Sequence, residues 1–171
     1  MSSSNSIFIY VGIYPNKAAA QDDHRIVRDL YGVDLLGSYD SAVVTKDRHG
    51  RVHVNKDEIA ARHGAWGGAV VGALIGIMFP PALIGFAVAG AGIGELSGHL
   101  WRGLSRADVK ELGELIDEGE AALLVVAASP LADTLRSTDL HAERNVTRKL
   151  PVDWHDLNLD EVLSEAAVAV V

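Results

Sequence analysis

The most restrictive feature of this sequence is an apolar stretch between Arg62 and Glu95 that contains no Asp, Glu, Lys or Arg. Ten of the seventeen glycines lie between Gly64 and Gly98, and the pair Pro80 and Pro81 interrupts the run near its middle. Proline lacks a backbone N–H and blocks a continuous helix. The stretch therefore predicts two helices, at about 64–79 and 81–100, joined at a proline hinge.

Glycine recurs at every fourth position in both predicted helices. The series consists of Gly64, Gly68, Gly72 and Gly76 in the first helix and Gly90, Gly94 and Gly98 in the second. Residues four apart share one face of a helix, so each helix presents a stripe without side chains. Each glycine costs a helix roughly 1 kcal/mol relative to alanine. A repeat kept at that cost favours close packing of helices through the stripe, as in small-xxx-small motifs.

The surroundings of this hairpin are open to two main interpretations. Trp66 and Trp101 bracket it, and Arg62 and Arg102 flank it, a pattern typical of membrane-interface anchors with both ends on the cytoplasmic side of a membrane. A 16-residue helix is only ~24 Å long, short of a ~30 Å hydrocarbon core. A soluble homo-oligomer with buried hairpins explains the glycines equally well, and one kinked helix that crosses once is a third geometry.

The flanking sequence predicts a small α+β domain. Its predicted elements are a strand at Ile7–Val11, a helix from Lys17 to Tyr31, strands at 39–46 and 51–56, a helix that begins at a Ser105–Asp108 capping box, and a strand at Ala121–Ala128. The order β-α-β-β-α-β indicates a ferredoxin-like, split βαβ sheet with two helices on one face. The hairpin is then an insertion between the third strand and the second helix.

These predicted elements divide the chain into three parts. Residues 1–63 and 101–150 form the split α+β domain, 64–100 form the hairpin, and 151–171 form a C-terminal helix with five acidic residues and no Lys or Arg. Residues 131–150 show no clear periodicity. The net charge of −8 argues against a nucleic-acid partner, and the absence of cysteine excludes disulfides and thiolate metal sites.

No arrangement of residues indicates catalysis, a cofactor or a metal. The Gly90–Gly94 run does not follow a predicted strand and is not a dinucleotide fingerprint. His49 and His53 are close in sequence but lack a carboxylate at a ligand spacing. Glu95 lies one turn before His99 near the end of the segment, where snorkelling or pairing with His99 accounts for it. The expectation is a protein without enzymatic activity.

Five blocks of this sequence resemble a bacterial family of predicted membrane proteins, domain of unknown function 1269. They are residues 39–44, 63–68, 79–82, 104–113 and 117–123, and the resemblance spans roughly 36–128. It implies a glycine-zipper segment within a small α/β domain, a membrane association and, in some members, a stress-related role. It implies no catalytic residues.

Together these features predict a non-enzymatic, membrane-associated protein that self-assembles into a homo-oligomer through its hairpin, with lipid and its own copies as partners. The first alternative is a soluble homo-oligomeric shell or scaffold with the hairpins packed in its wall. The second is a small-ligand binder that uses the ferredoxin-like sheet, which rests on fold analogy alone.

Overall fold

The computed structural model describes residues 6–32, 39–55, 69–79, 102–118, 120–128, 134–135 and 137–153. The predicted α+β class is confirmed. The elements in chain order are β1 (Ser6–Tyr14), α1 (Lys17–Gly32), β2 (Tyr39–Lys46), β3 (Val52–Asn55), α2 (Ala69–Met78), α3 (Arg106–Glu118), β4 (Ala121–Ala128) and β5 (Arg144–Asp153).

The five strands form one antiparallel sheet in the order β3-β2-β4-β1-β5. The central strand β4 pairs with both β1 and β2, for example Val126 with Ile9 and with Asp40. Strands β1 and β2 therefore run parallel to each other on either side of β4, which is a split βαβ arrangement. The finer ferredoxin-like order is not confirmed, because β3 lies at one edge beside β2 and a fifth strand extends the sheet beyond β1.

Helices cover both faces of this sheet. One face packs against α2 and α3 through residues such as Ile9, Val11 and Leu124, and the other packs against α1 through Tyr14 and Leu123. The prediction of two helices on one face was wrong. The physical reason is that β1 and β4 are apolar on both faces, and a strand without a polar face has to be covered on both sides.

Local capping signals determine where α1 and α3 begin, as the sequence predicted. The Asn16 side chain accepts a hydrogen bond from the Ala19 N–H at 2.9 Å. At the start of α3, the Ser105 Oγ accepts from the Asp108 N–H at 3.1 Å, and the Asp108 carboxylate accepts from the Ser105 N–H at 3.1 Å. This reciprocal pair satisfies two backbone donors that the helix itself leaves free.

The turn between β2 and β3 is organised by one carboxylate. Asp47 accepts hydrogen bonds from the backbone N–H groups of His49 and Arg51 at 2.8 and 3.0 Å, and Gly50 adopts a φ of 74°. A positive φ favours glycine because it has no Cβ. The predicted hairpin turn is therefore confirmed, with Asp47 as the residue that stabilises it.

Strand β5 was not predicted from the sequence. It pairs with β1 along its length, directs Leu150 into the core and continues to Asp153, three residues past the boundary predicted at 150. An edge strand tolerates Pro151 and many charged residues because one of its sides pairs with no strand among the described residues. These features remove the apolar alternation on which a sequence prediction depends.

Candidate functional site

Helix α2 is the part of the predicted hairpin that the structure describes. Its residues Val71, Ala73, Leu74 and Ile75 are fully buried, and they join one continuous core with the sheet and α3. The large side chains of α2 therefore form part of the interior of the α+β domain. Among the described residues, no helix is both long enough and apolar enough to cross a membrane.

A buried carboxylate on β2 attaches α2 to the sheet. Asp40 is 6% exposed, and its side chain accepts a hydrogen bond from the Val71 N–H in the first turn of α2 at 3.1 Å. The N-terminus of a helix has free N–H donors and a positive partial charge, so it is a favourable partner for a buried carboxylate. This contact links the start of α2 to strand β2 of the sheet.

Gly76 lies on the side of α2 that the sheet does not cover. It is exposed, and a Cβ added at this position would meet no atom within 4 Å in the part of the chain that the structure describes. Of the seven glycines in the predicted stripe, Gly72 and Gly76 fall within α2. Gly64, Gly68, Gly90, Gly94, Gly98, Pro80, Pro81, Trp66, Trp101 and Arg62 lie outside the described residues, whereas Arg102 is an exposed residue ahead of α3.

An open cleft of about 430 Å³ lies between the end of α2, the β2–β3 turn and α3. Met78, Phe79 and Val109 provide an apolar floor. Its charged rim consists of Lys46, Arg106, Lys110, Glu114 and Asp117. Lys46 pairs with Asp117, and Lys110 lies 3.6 Å from Glu114.

A polar network lies on the opposite face of the sheet, under α1. The Asp23 side chain is fully buried and accepts hydrogen bonds from the Tyr14 hydroxyl and the His141 N–H, both at 2.7 Å. Its second oxygen lies 2.8 Å from His141 Nδ1. Because a carboxylate can only accept, Nδ1 carries the proton. The network thus joins β1, α1 and the segment before β5.

Gly12 allows that segment to approach β1. A Cβ on Gly12 would lie 2.7 Å from the Tyr10 hydroxyl oxygen and 3.1 Å from the Ala142 Cβ, so a larger residue would displace one of them. Burial raises the pKa of Tyr10. Burial and, second, the hydrogen bond to Asp23 raise the pKa of Tyr14, which keeps both phenols protonated.

Stability should depend on pH through His141. The hydrogen bond to Asp23, followed by the charge of Asp23, raises the pKa of His141 above its ordinary value. This contribution to the unfolding free energy is complete below about pH 6.5 and is lost as the pH rises through the raised pKa. Urea unfolding at about pH 6 and about pH 9 should show a larger loss for the wild type than for His141→Gln. Equal losses in the two proteins would contradict this assignment.

Two other histidines, His24 and His53, have structural side-chain partners. His53 Nε2 donates to the Asp47 carboxylate at 3.0 Å, and this bond, with the backbone bonds of the turn, lowers the pKa of Asp47 to about 2. His24 Nε2 lies 2.7 Å from the Ser41 hydroxyl in the buried interior. Within the described part of the chain, no three His, Cys, Asp or Glu side chains are grouped as a metal site would require.

Comparison with known families gives one match. Residues 65–153, a little over half of the chain, match the family described as protein of unknown function (DUF1269). The chain belongs to the DUF1269 family. No curated protein and no solved structure shows a significant match to it.

The DUF1269 match does not coincide with the sheet. It contains α2, α3, β4 and β5, while β1, α1, β2 and β3 precede it. The resemblance was predicted over residues 36–128, whereas the match begins later, at residue 65, and continues through β5 to residue 153. Since β4 lies between β1 and β2, the DUF1269 region needs residues 6–46 to complete its sheet.

Sequence reasoning missed the Asp23 network for a physical reason. Asp23 and His141 are 118 positions apart. Asp23 sits in a helix that is polar along one side, and His141 precedes a strand without clear alternation. Neither residue stands out locally, and the pair exists only because β5 returns to the edge of β1.

Proposed function

We propose that this protein is a non-enzymatic, membrane-associated protein that self-assembles through the glycine stripe of its apolar segment. In this proposal residues 64–100 are a helical hairpin inserted in a domain related to the ferredoxin-like folds, and the domain lies on the cytoplasmic side of the membrane. A stress-related role is compatible with it.

The observation that carries self-assembly is the division of α2 into two sides. Leu74 and Ile75 face the domain core with no exposed surface, whereas Gly76 is exposed and a Cβ there would meet no atom of the described residues within 4 Å. Helix backbones approach closely only where side chains are small. The uncovered side of α2 is thus suited to contact with a second helix, because no side chain at position 76 holds that helix away.

The burial of α2 also bears on the membrane part of the proposal. The α2 side chains that pack against the sheet cannot also contact lipid. In this proposal the rest of the charge-free segment therefore makes the contact with the bilayer. A soluble homo-oligomer with the hairpins packed in its wall is the second candidate, and the burial of Val71 and Leu74 against the sheet favours it.

Substitution of Gly76 by leucine is expected to abolish assembly through the glycine stripe while leaving the domain folded. The added side chain meets nothing within the described residues, so it should hold apart only helices from other copies. Light scattering of the purified chain, with and without detergent, measures the assembly. Ala18→Leu on exposed α1 adds similar bulk away from the stripe and is the matched control.

The same preparations separate the two candidates. Recovery in the membrane pellet, with release by detergent but not by carbonate, supports membrane association. A monodisperse particle of many subunits without detergent supports the soluble assembly instead. An unchanged particle size in the Gly76→Leu variant would refute the glycine contact under either candidate.

The cleft keeps a third candidate, a small-ligand binder, open to test. Its volume of about 430 Å³ lies in the range of small-molecule sites. A ligand screen read by thermal shift, repeated with Phe79→Ala, would identify such a function if a compound stabilises the wild type alone.

A further inference from the structure

The exposed ridge of α3 carries a charge pattern that its own helix does not favour. Arg106 and Lys110 lie in the N-terminal half of the ridge, and Glu114 and Asp117 lie in the C-terminal half. The helix dipole favours the opposite order, with anions near the N-terminus and cations near the C-terminus. The Lys110–Glu114 pair also has the less favourable of the two i,i+4 orientations.

The four residues share one face of the helix. Their spacings of four, four and three residues keep them in a single row about 17 Å long. All four side chains are exposed and line the cleft. Arg106 has no ion-pair partner among the residues that the structure describes.

From this pattern we infer that α3 forms a two-fold symmetric interface with α3 of a second copy of this chain, in antiparallel orientation. A two-fold axis at the level of Leu112 places Arg106 opposite Asp117 of the partner subunit and Lys110 opposite Glu114 of the partner subunit. Symmetry repeats both pairs, so four charge pairs form from one self-complementary ridge. The antiparallel helix dipoles add to the attraction.

The floor of the cleft gives this contact an apolar component. Met78 and Val109 are half-buried beside the charged row. Covering Met78 and Val109 removes apolar surface from water and so stabilises the dimer. The exposed charge pairs at the rim contribute little stability by comparison. Each copy contributes only one helix and the rim of its cleft, so the interface is small. The dimer is therefore expected to be weak and in rapid exchange.

This interface goes beyond the proposed function, because it uses a different helix and does not require the glycine stripe. Two independent contacts on one chain would allow an assembly to grow beyond a dimer. One contact uses α2 at Gly76 and the other uses α3.

Paired charge reversals test the inference. Arg106→Glu with Lys110→Glu makes the ridge entirely acidic, and Glu114→Lys with Asp117→Lys makes it entirely basic. Each variant alone should associate at least about tenfold more weakly than the wild type, because like charges then face each other. An equimolar mixture of the two variants should associate again, because the acidic ridge meets the basic one.

The control has the same change of charge on the other side of the sheet. Lys17→Glu with Arg25→Glu alters two exposed residues of α1 and should leave association unchanged. Analytical ultracentrifugation gives the association constants, and circular dichroism shows that each variant is folded. For the wild type, raising the ionic strength from about 0.05 M to about 0.5 M should weaken association, since it shortens the screening length.

Unchanged association of the acidic-ridge and basic-ridge variants when each is measured alone would overturn the inference. An equimolar mixture of the two that does not regain association would also overturn it. So would association in the wild type that salt does not weaken. The failure of this interface is distinct from that of the glycine contact. If the Gly76→Leu variant associates as strongly as the wild type, only the glycine contact is refuted. If the charge reversals do not change association, only the α3 interface is refuted.

Discussion

Replacement of Leu74 by alanine is expected to lower the free energy of unfolding by about 3 kcal/mol. Leu74 is fully buried between the sheet and α3, and truncation removes its apolar contacts and leaves a cavity in a close-packed core. Urea denaturation of the detergent-free protein, followed by circular dichroism, measures this loss.

This experiment also tests where the first arm of the apolar segment resides. Met78→Ala is the matched control, because Met78 is half-buried at the cleft and its loss should cost about 1 kcal/mol or less. If α2 were instead inserted in lipid, Leu74→Ala would leave the stability of the detergent-free domain unchanged. Similar small losses for Leu74→Ala and Met78→Ala would therefore contradict the packing of α2 on the sheet.

The second large effect is expected at Asp23. Alanine at this position removes the acceptor of the Tyr14 hydroxyl and of two N–H groups of His141. A buried donor that loses its partner pays its full desolvation cost, so the unfolding free energy should fall by about 3 kcal/mol. Urea denaturation at about pH 8 is suitable, because the charge of His141 then contributes little.

Asp23→Asn separates hydrogen bonding from charge. The amide oxygen can still accept from Tyr14 and from the His141 N–H, and the amide nitrogen can donate to His141 Nδ1 once the ring proton moves to Nε2. This variant should keep most of the stability at about pH 8 and lose the dependence on pH between about 6 and 9. A loss as large as that of Asp23→Ala would show that the charge of Asp23 stabilises the network.

Several elements were predictable because their signals are local. Asn16 and the Ser105–Asp108 pair mark helix starts through hydrogen bonds within three residues. The hairpin turn at Asp47–Gly50 depends on one carboxylate and one positive φ. The β-branched and aromatic residues of Ile7–Val11 and the short apolar run Ala121–Ala128 identify strands without any knowledge of their partners.

Other elements were not predictable because their causes are distant in sequence. Strand β5 has little apolar alternation, and it forms because it pairs with β1 at the edge of the sheet. The Tyr14–Asp23–His141 network forms across three elements, and the two-sided cover of the sheet follows from how β1 and β4 are placed at its centre. The sequence marked α2 as an apolar helix with a glycine stripe, but not which of its sides faces the domain.

By itself the sequence determined the charge-free segment, the glycine register and the starts of α1 and α3, because these depend on residues within a few positions of one another. The tertiary structure alone decided the strand order, the cover on both faces and the burial of Leu74 with Gly76 left outside. Those outcomes depend on which surfaces meet, and a surface finds its partner only when distant segments of the chain are brought together in one core.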